Sequence, residues 1–336
     1  MKKTNYSPQE VAQMLGVHKE FLLACEREGT IPPSHRDEKN NRFYPAEEIE
    51  KIRQIVGVRK ALTVAPVVLA VFNMKGGVGK STVAANLAWT ISQRGYRTLG
   101  LDADPQGHMT TSLGEEPASF KLTLQDLVIP RYQGGFSTVA EVRHEITPNL
   151  HLIPANLSMC SMNLLLFQQP EREYRLRRAM DDIRREGIYD LVIVDSPPSY
   201  DLTSLNIVLA CSILLAPVKL DGNSFYGLQY LFGSIDDLQQ TYRFEIPLVA
   251  IVASHYNHSF SVSRQIMDGL RENYGKFMTR TIIRQDVNFD KANALREPIS
   301  VLSPSSKGAR DMESLAVEMI DTIEHKYGGE QQNVQG

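Results

Sequence analysis

The fold class this sequence predicts is α/β: a mostly parallel sheet covered by helices on both faces, preceded by a small helix-turn-helix module. Three observations carry it. From Val67 onward, short apolar runs alternate with amphipathic helical stretches, the pattern of strands buried on both faces and joined by crossover helices. The first run, 67–72, leads straight into a glycine-rich turn and a helix. Residues 1–60 differ in texture, with apolar residues at helical spacing between polar, proline-containing turns. In the larger region, strands are predicted at 67–72, 97–102, 150–154, 191–195, 212–218 and 247–253, with a further one at 280–284. Helices are predicted at 80–94, 171–186, 203–210, 224–242, 261–274 and 308–326, while 114–149 is weakly patterned and reads as a short helix and loops. The implied division is a module at 1–60, a linker at 61–66, the α/β domain at 67–326 and a polar tail at 327–336.

In the first module, Ser7-Pro8-Gln9-Glu10 supplies an N-cap, a proline at the first helical position and an acidic first turn. Val11, Met14 and Leu15 follow at helical spacing, Gly16 breaks the helix, and Val17 to about Glu28 reads as a second one. In the polar stretch Ser34 to Tyr44, Asn40-Asn41 is a hairpin tip with Arg36 and Arg42 on its arms, and a third helix follows from Pro45. This layout resembles the winged helix-turn-helix of the MerR family. The resemblance implies that the second helix enters a major groove, with His18 and Lys19 at its start near base edges, and that Arg36 and Arg42 on the wing lie along the DNA backbone. The second helix carries few arginines for that task, and a dimerisation or docking domain is the alternative reading.

The segment Lys75-Gly76-Gly77-Val78-Gly79-Lys80-Ser81-Thr82 carries the chemistry. Its glycines let the backbone curl around phosphate oxygens. Lys80 brings an ammonium to the β- and γ-phosphates and Ser81 offers a hydroxyl to Mg²⁺. The helix that begins here turns its N–H groups towards the phosphates. ATP or ADP with Mg²⁺ is the expected cofactor set. The general phosphate-loop pattern wants glycine at 74, where Met74 stands, and a second lysine, Lys75, precedes the paired glycines. The loop resembles the deviant Walker A motif of the ParA/MinD family of ATPases. That resemblance implies that Lys75 reaches the partner subunit's nucleotide, so that ATP binding drives formation of a homodimer.

Two acidic clusters end strands, where open α/β sheets bind ligands. Asp102-Ala103-Asp104-Pro105-Gln106 resembles the family's switch I, which implies that Asp104 orients or deprotonates the attacking water while Asp102 supports the Mg²⁺ environment. Leu191-Val192-Ile193-Val194-Asp195 resembles its Walker B strand, with Asp195 holding Mg²⁺ through water, and Ser196-Pro197-Pro198 would be switch II. Asp286 and Asn288 match the family segment that borders the base, an ordinary surface loop being the alternative.

Bulk properties narrow the uses of such a site. At a net charge of −3 the whole chain is no polycation, so DNA binding requires local patches. Lys219, Arg264, Arg271, Lys276, Arg280 and Arg284 are candidates, each also readable as a solvated surface charge. Cys25, Cys160 and Cys211 show no metal-ligand spacing and read as reduced thiols. No apolar leader opens the chain and no apolar run spans a bilayer, so a cytoplasmic, nucleoid-associated protein is expected. The last helix carries Asp311, Glu313, Glu318, Asp321 and Glu324, which makes it a poor membrane anchor. The family resemblance therefore implies an ATPase of DNA partition: a dimer that coats DNA non-specifically, a ParB-like adaptor that stimulates hydrolysis, and an operator for the N-terminal module. The alternatives are a nucleotide-sensing, MerR-like transcription regulator and the ParA-like positioning of a protein cargo.

Overall fold

The computed structural model describes residues 5–15, 17, 19–37, 39–56, 66–130, 135–246 and 248–327. His18, Gly16, the linker from 61 to 65 and the tail from 328 lie outside these residues.

The N-terminal elements are β1 (Asn5–Tyr6), α1 (Pro8–Leu15), α2 (Lys19–Arg27), β2 (His35–Arg36), β3 (Arg42–Pro45) and α3 (Ala46–Val56). α1 starts where its sequence says it should. The Ser7 amide and hydroxyl donate to Glu10 Oε2 at 2.9 and 3.0 Å, and the Glu10 amide donates back to Ser7 Oγ at 3.3 Å, a capping box that satisfies otherwise orphaned donors. The hairpin tip falls at Asn40, which takes the left-handed region at φ 63°, and Asp37 Oδ1 ties it by accepting from the Lys39 and Asn41 amides. β3 pairs antiparallel with both β1 and β2. Val11, Leu22, Cys25, Tyr44, Ile49 and Ile52 form the small core of this unit.

The larger region runs β4 (Val67–Val71), α4 (Lys80–Gln93), β5 (Thr98–Asp102), α5 (His108–Ser112), α6 (Leu124–Val128), α7 (Val139–Val142), β6 (His144–Thr147), β7 (Leu150–Ile153), α8 (Met162–Phe167), α9 (Arg175–Glu186), β8 (Leu191–Asp195), α10 (Leu202–Ala210), β9 (Ile213–Lys219), α11 (Ser224–Tyr242), β10 (Leu248–Ser254), α12 (Ser261–Tyr274), α13 (Val287–Leu295), α14 (Ile299–Leu302) and α15 (Lys307–Tyr327). The sheet order is β10-β9-β4-β8-β5-β7-β6, parallel throughout except for β6 against β7. Its faces bury separate cores, and the period-2 alternation of a strand divides the residues between them. Val68, Ala70 and Phe72 pack towards α9–α12, while Val67, Leu69 and Val71 pack towards α4 and α15.

Two expectations are corrected here. Residues 280–284 are not a strand; the segment runs beside the end of β10 with one isolated bridge, Tyr256 to Arg284, and the Ile283 amide donating to Ala253 O at 2.8 Å. Its outward amides bond to carboxylates of α15 instead of a neighbouring strand. Glu318 accepts from the Arg280 and Thr281 amides at 2.6 and 2.9 Å, and Asp311 accepts from that of Arg284 at 2.9 Å. The weakly patterned region contains an edge strand, β6, none of whose side chains is buried, so it lacks the apolar run that announces a buried strand. No helix among the described residues is long and apolar enough to cross a membrane.

Candidate nucleotide site

Three strand ends meet at one level of the sheet. β8 pairs with β4 and β5 so that Asp195 lies opposite Val71 on one side and Asp102 on the other. β4 and β5 flank β8 at the centre of the sheet, where crossovers leave a crevice at the carboxyl ends of the strands. The loop from β4 to α4 folds over this edge. Gly77 and Gly79 have φ of 71° and 91°, a region that costs any side chain strain. Gly79 is also the residue before α4, and a Cβ there would come within 3.5 Å of the His255 ring. Asn73 braces the loop from below. Its side-chain amide donates to Pro217 O at 2.8 Å and its Oδ1 accepts the Lys75 amide at 3.0 Å. The Ser254 hydroxyl donates to Val78 O at 2.9 Å.

The electrostatics are severe. Lys80 is 6 % exposed, and its Nζ donates to Lys75 O at 3.2 Å. Burial holds its pKa below the ordinary lysine value, an effect opposed by the charges of Asp195 and Asp104. Asp195 is fully buried, and neither of its oxygens receives a well-formed hydrogen bond. Burial pushes its pKa well above the usual carboxylate range and the charges of Asp102 and Asp104 add to that; the Ser81 hydroxyl and Lys80 oppose them. Asp102 differs in that both oxygens are engaged. Oδ1 accepts the Asp104 amide, and Oδ2 accepts the Thr110 amide and hydroxyl at 2.8 Å each. Its burial nevertheless raises its pKa to about 6 against those bonds. Asp104 is 7 % exposed, with Oδ1 accepting the Gln106 amide.

A buried carboxylate with no well-formed hydrogen bond, beside the Ser81 hydroxyl and two further carboxylates, is an arrangement that a small hard cation would stabilise. No group of three or more metal-ligating side chains of the His, Cys, Asp and Glu type occurs among the described residues.

Lys75 points back across its own protomer. Its Nζ donates to both carboxylate oxygens of Asp221 at 2.7 Å, and both side chains are about one-third exposed. Burial raises the Asp221 pKa, but the Lys75 hydrogen bond, the Asn223 amide and the charges of Lys75 and Lys219 outweigh it and leave it low. Beside the loop, a cavity of about 310 Å³ is lined by Gly79, Thr82, His255, Asp286, Phe289 and Asn293 among others. Asp286 lines it while capping α13, accepting from the Asn288 and Gly308 amides. Asn288 does not line it; its side chain is drawn to Asp286 and Ser303.

The DNA candidates scatter. Arg284 is clamped by Asp311 at 2.6 to 3.1 Å, and Arg280 lies 3.7 Å from Glu318. Lys219 stands beside the nucleotide site, where its charge depresses the His255 imidazole already lowered by burial. Arg264 and Arg271 share an exposed face of α12, and Lys276 lies over the Phe277 ring. In the N-terminal module, Arg36 donates to Asn40 and Arg42 lies 3.3 Å from Glu26. Sequence reading missed Asn73, Thr110, Asp221, His255 and Phe289. Of these only Asn73, just before the loop at a strand end, carried a signal; Thr110 reaches Asp102 from the following short helix, and Asp221, His255 and Phe289 arrive from elements far along the chain.

Together, a central parallel sheet, a glycine loop closing on a helix N-terminus and paired strand-end aspartates define a phosphate-loop nucleoside-triphosphatase. Residues 67–248 match the family described as AAA domain, and residues 6–62 match the MerR HTH family of regulatory proteins. The chain is 33 % identical over 326 residues to the cell division protein PomZ of Myxococcus xanthus, covering 96 % of this chain and 94 % of that one. It is 31 % identical over 254 residues to the chromosome partitioning protein ParA of Caulobacter vibrioides, covering 75 % and 93 %. The solved cobyrinic acid a,c-diamide synthase of Mycobacterium smegmatis, with bound ADP and magnesium, aligns at TM-score 0.64 and 25 % identity over 78 % of this chain and 96 % of that one. The cell division ATPase MinD of Pyrococcus furiosus, at 18 % identity and TM-score 0.60 over 76 % and 99 %, shares the fold. The chain belongs to the ParA/MinD-type family of AAA-domain proteins and carries a MerR-type helix-turn-helix region at its N-terminus.

Proposed function

We propose that the chain is a MgATP-dependent DNA-segregation ATPase whose ATP-bound homodimer binds DNA without sequence preference and whose slow hydrolysis a ParB-like partner stimulates. The observation that carries this reading is the pair of lysines on one loop. Lys80 is buried at the phosphate end, and Lys75 is parked on Asp221 at the surface, where it can be released to a partner. The names of the relatives, a chromosome partitioning protein and a cell division protein, support the same class of work.

In this reading Ser81 and Asp195 hold Mg²⁺, with Asp102 fixing the switch I backbone through Asp104 and Thr110. The bound ion would offset charge on the phosphates and neutralise Asp195. Lys80 and the amides of Gly76 to Thr82 stabilise charge developing on the transferred phosphoryl group. Asp104, fixed through one oxygen, presents the other to the attacking water. The cavity lined by Thr82, Asp286 and Phe289 takes the nucleoside.

The deciding experiment measures ATPase rate against non-specific DNA with and without the product of the adjacent gene. Synergistic stimulation is expected; a rate indifferent to both would overturn the partition role. Asp104→Ala should cut turnover about 10²-fold and leave an ATP-bound dimer that persists on DNA. Parental phosphate release by that variant would remove Asp104 from the water-positioning role. Asp221→Asn should release Lys75 and tighten ATP-dependent dimerisation by up to about five-fold, the value of a partly exposed ion pair. Sedimentation with a non-hydrolysable analogue checks it, and weaker dimerisation would mean that Asp221 serves the assembled state instead.

A second reading has its own support. PomZ, a cell division protein, matches this chain along nearly its whole length, whereas the ParA match covers three quarters of it. Positioning of a protein cargo or division site would then replace partition. Loss of chromosome or plasmid inheritance in a deletion strain favours the first reading, and misplaced septa or cargo with normal inheritance favours the second.

A further inference from the structure

α2 corresponds to the helix that a MerR-type module presents to a major groove. One face of it is spent internally, because Leu22 and Cys25 are buried in the module's own core. The opposite face turns to the ATPase domain. Phe21, Ala24 and Glu28 line one wall of a cavity of about 290 Å³ whose other wall comes from Trp89 and Arg94 in the last turns of α4 and from Glu313 of α15. Arg94 closes that space. Its guanidinium donates to Glu28 at 3.0 Å and also to Glu313, joining the module to two helices of the ATPase domain. The Arg94 side chain is 16 % exposed while its two carboxylate partners stand at the rim of the contact, Glu28 at 47 % and Glu313 at 38 %. The facing charges agree with the arrangement. Glu20 on α2 and Glu28 just after it line the cavity together with Arg27, and Glu28 is the carboxylate that pairs with Arg94.

We propose that the outward face of α2 is a docking surface for the chain's own ATPase domain, seated on the C-terminal end of α4. The proposal is independent of the partition reading. While docked, α2 has the face carrying Glu20, Phe21 and Ala24 covered by the end of α4, which leaves that face no room for a DNA groove. The seat is also at the far end of the helix whose first turn carries Lys80 and Ser81. At about 1.5 Å per residue, α4 is a rigid strut of roughly 20 Å between the phosphate loop and the module. The cavity left between the two surfaces means the contact is not packed to core density, as befits an interface that can open.

The chain has a single tryptophan, and it is in this seat. Trp89 is 6 % exposed, packed in the core of the ATPase domain on one side and lining the seat on the other, so its fluorescence in the full-length protein is a probe placed at the contact. Ala24→Arg inserts a charged side chain into the seat without touching the module's core. Glu28→Arg opposes Arg94 from an exposed position that folding tolerates. Both variants should shift Trp89 emission to the red and raise its acrylamide quenching constant at least about two-fold, with unchanged far-ultraviolet dichroism. The same shift should occur in a Lys80→Ala background, which separates this result from any failure of the ATPase reading. Parental emission and quenching in both folded variants would overturn the proposal.

Discussion

Lys80→Ala is expected to abolish detectable ATP binding and to lower turnover by roughly 10²–10³-fold. The loss exceeds that of an ordinary surface charge because Lys80 works where water cannot replace it: it is buried, hydrogen-bonded to its own loop at Lys75 O, and set among Asp104 and Asp195. Its removal takes away the one ammonium among three buried carboxylates. The nucleotide-free variant should therefore also be less stable than the parent, by about 3–5 kcal/mol if the carboxylates stay ionised, and by less as they take up protons. Titration with a fluorescent ATP analogue, phosphate release and thermal unfolding check the three parts. Near-parental affinity would show that the backbone amides alone hold the phosphates.

The contrast between Lys80 and Lys75 shows how the site could be read from sequence and where that reading stops. The loop, its helix and the aspartates at two strand ends are contiguous motifs, and their apolar strands are buried on both faces, so each leaves a local trace. Ranges such as 191–195 and 224–242 coincide with β8 and α11 for that reason. Asp221, by contrast, meets Lys75 only because β9 lies next to β4 in the sheet. The acidic residues of α15 illustrate the same limit. They argue against a membrane anchor by composition, yet Glu313, Glu318 and Asp311 act as specific clamps on Arg94, the 280–281 amides and Arg284. Charge along a helix is legible in sequence; the partner across the groove is not. α13 follows the Asp286-capped turn with little apolar periodicity to announce it, and α14, at four residues, is too short to show any.

Asp195→Asn should move activity and stability in opposite directions. Turnover should fall by roughly 10²–10³-fold as the Mg²⁺ environment is lost. The nucleotide-free protein should become more stable, because the substitution removes a buried charge that accepts no well-formed hydrogen bond and faces Asp102 across adjacent strands. An asparagine amide there can instead donate to a neighbouring carboxylate. The pH dependence follows from the raised carboxyl pKa, caused first by burial and then by the charge of Asp102. The folded chain holds this proton to higher pH than the unfolded chain, in which an aspartate titrates near about 4. The group therefore costs nothing well below that value, and stability is lost as pH rises through it towards the folded pKa. Asp102 follows the same course, with a folded value of about 6. The Tm advantage of Asp195→Asn should thus be near zero in acid, grow to a few degrees by neutral pH, and reverse when MgATP binds the parent. Scanning calorimetry of both proteins across that range, with and without MgATP, tests it. A variant less stable than the parent at neutral pH without nucleotide would mean that Asp195 is held by donors within the chain and is not poised for a cation.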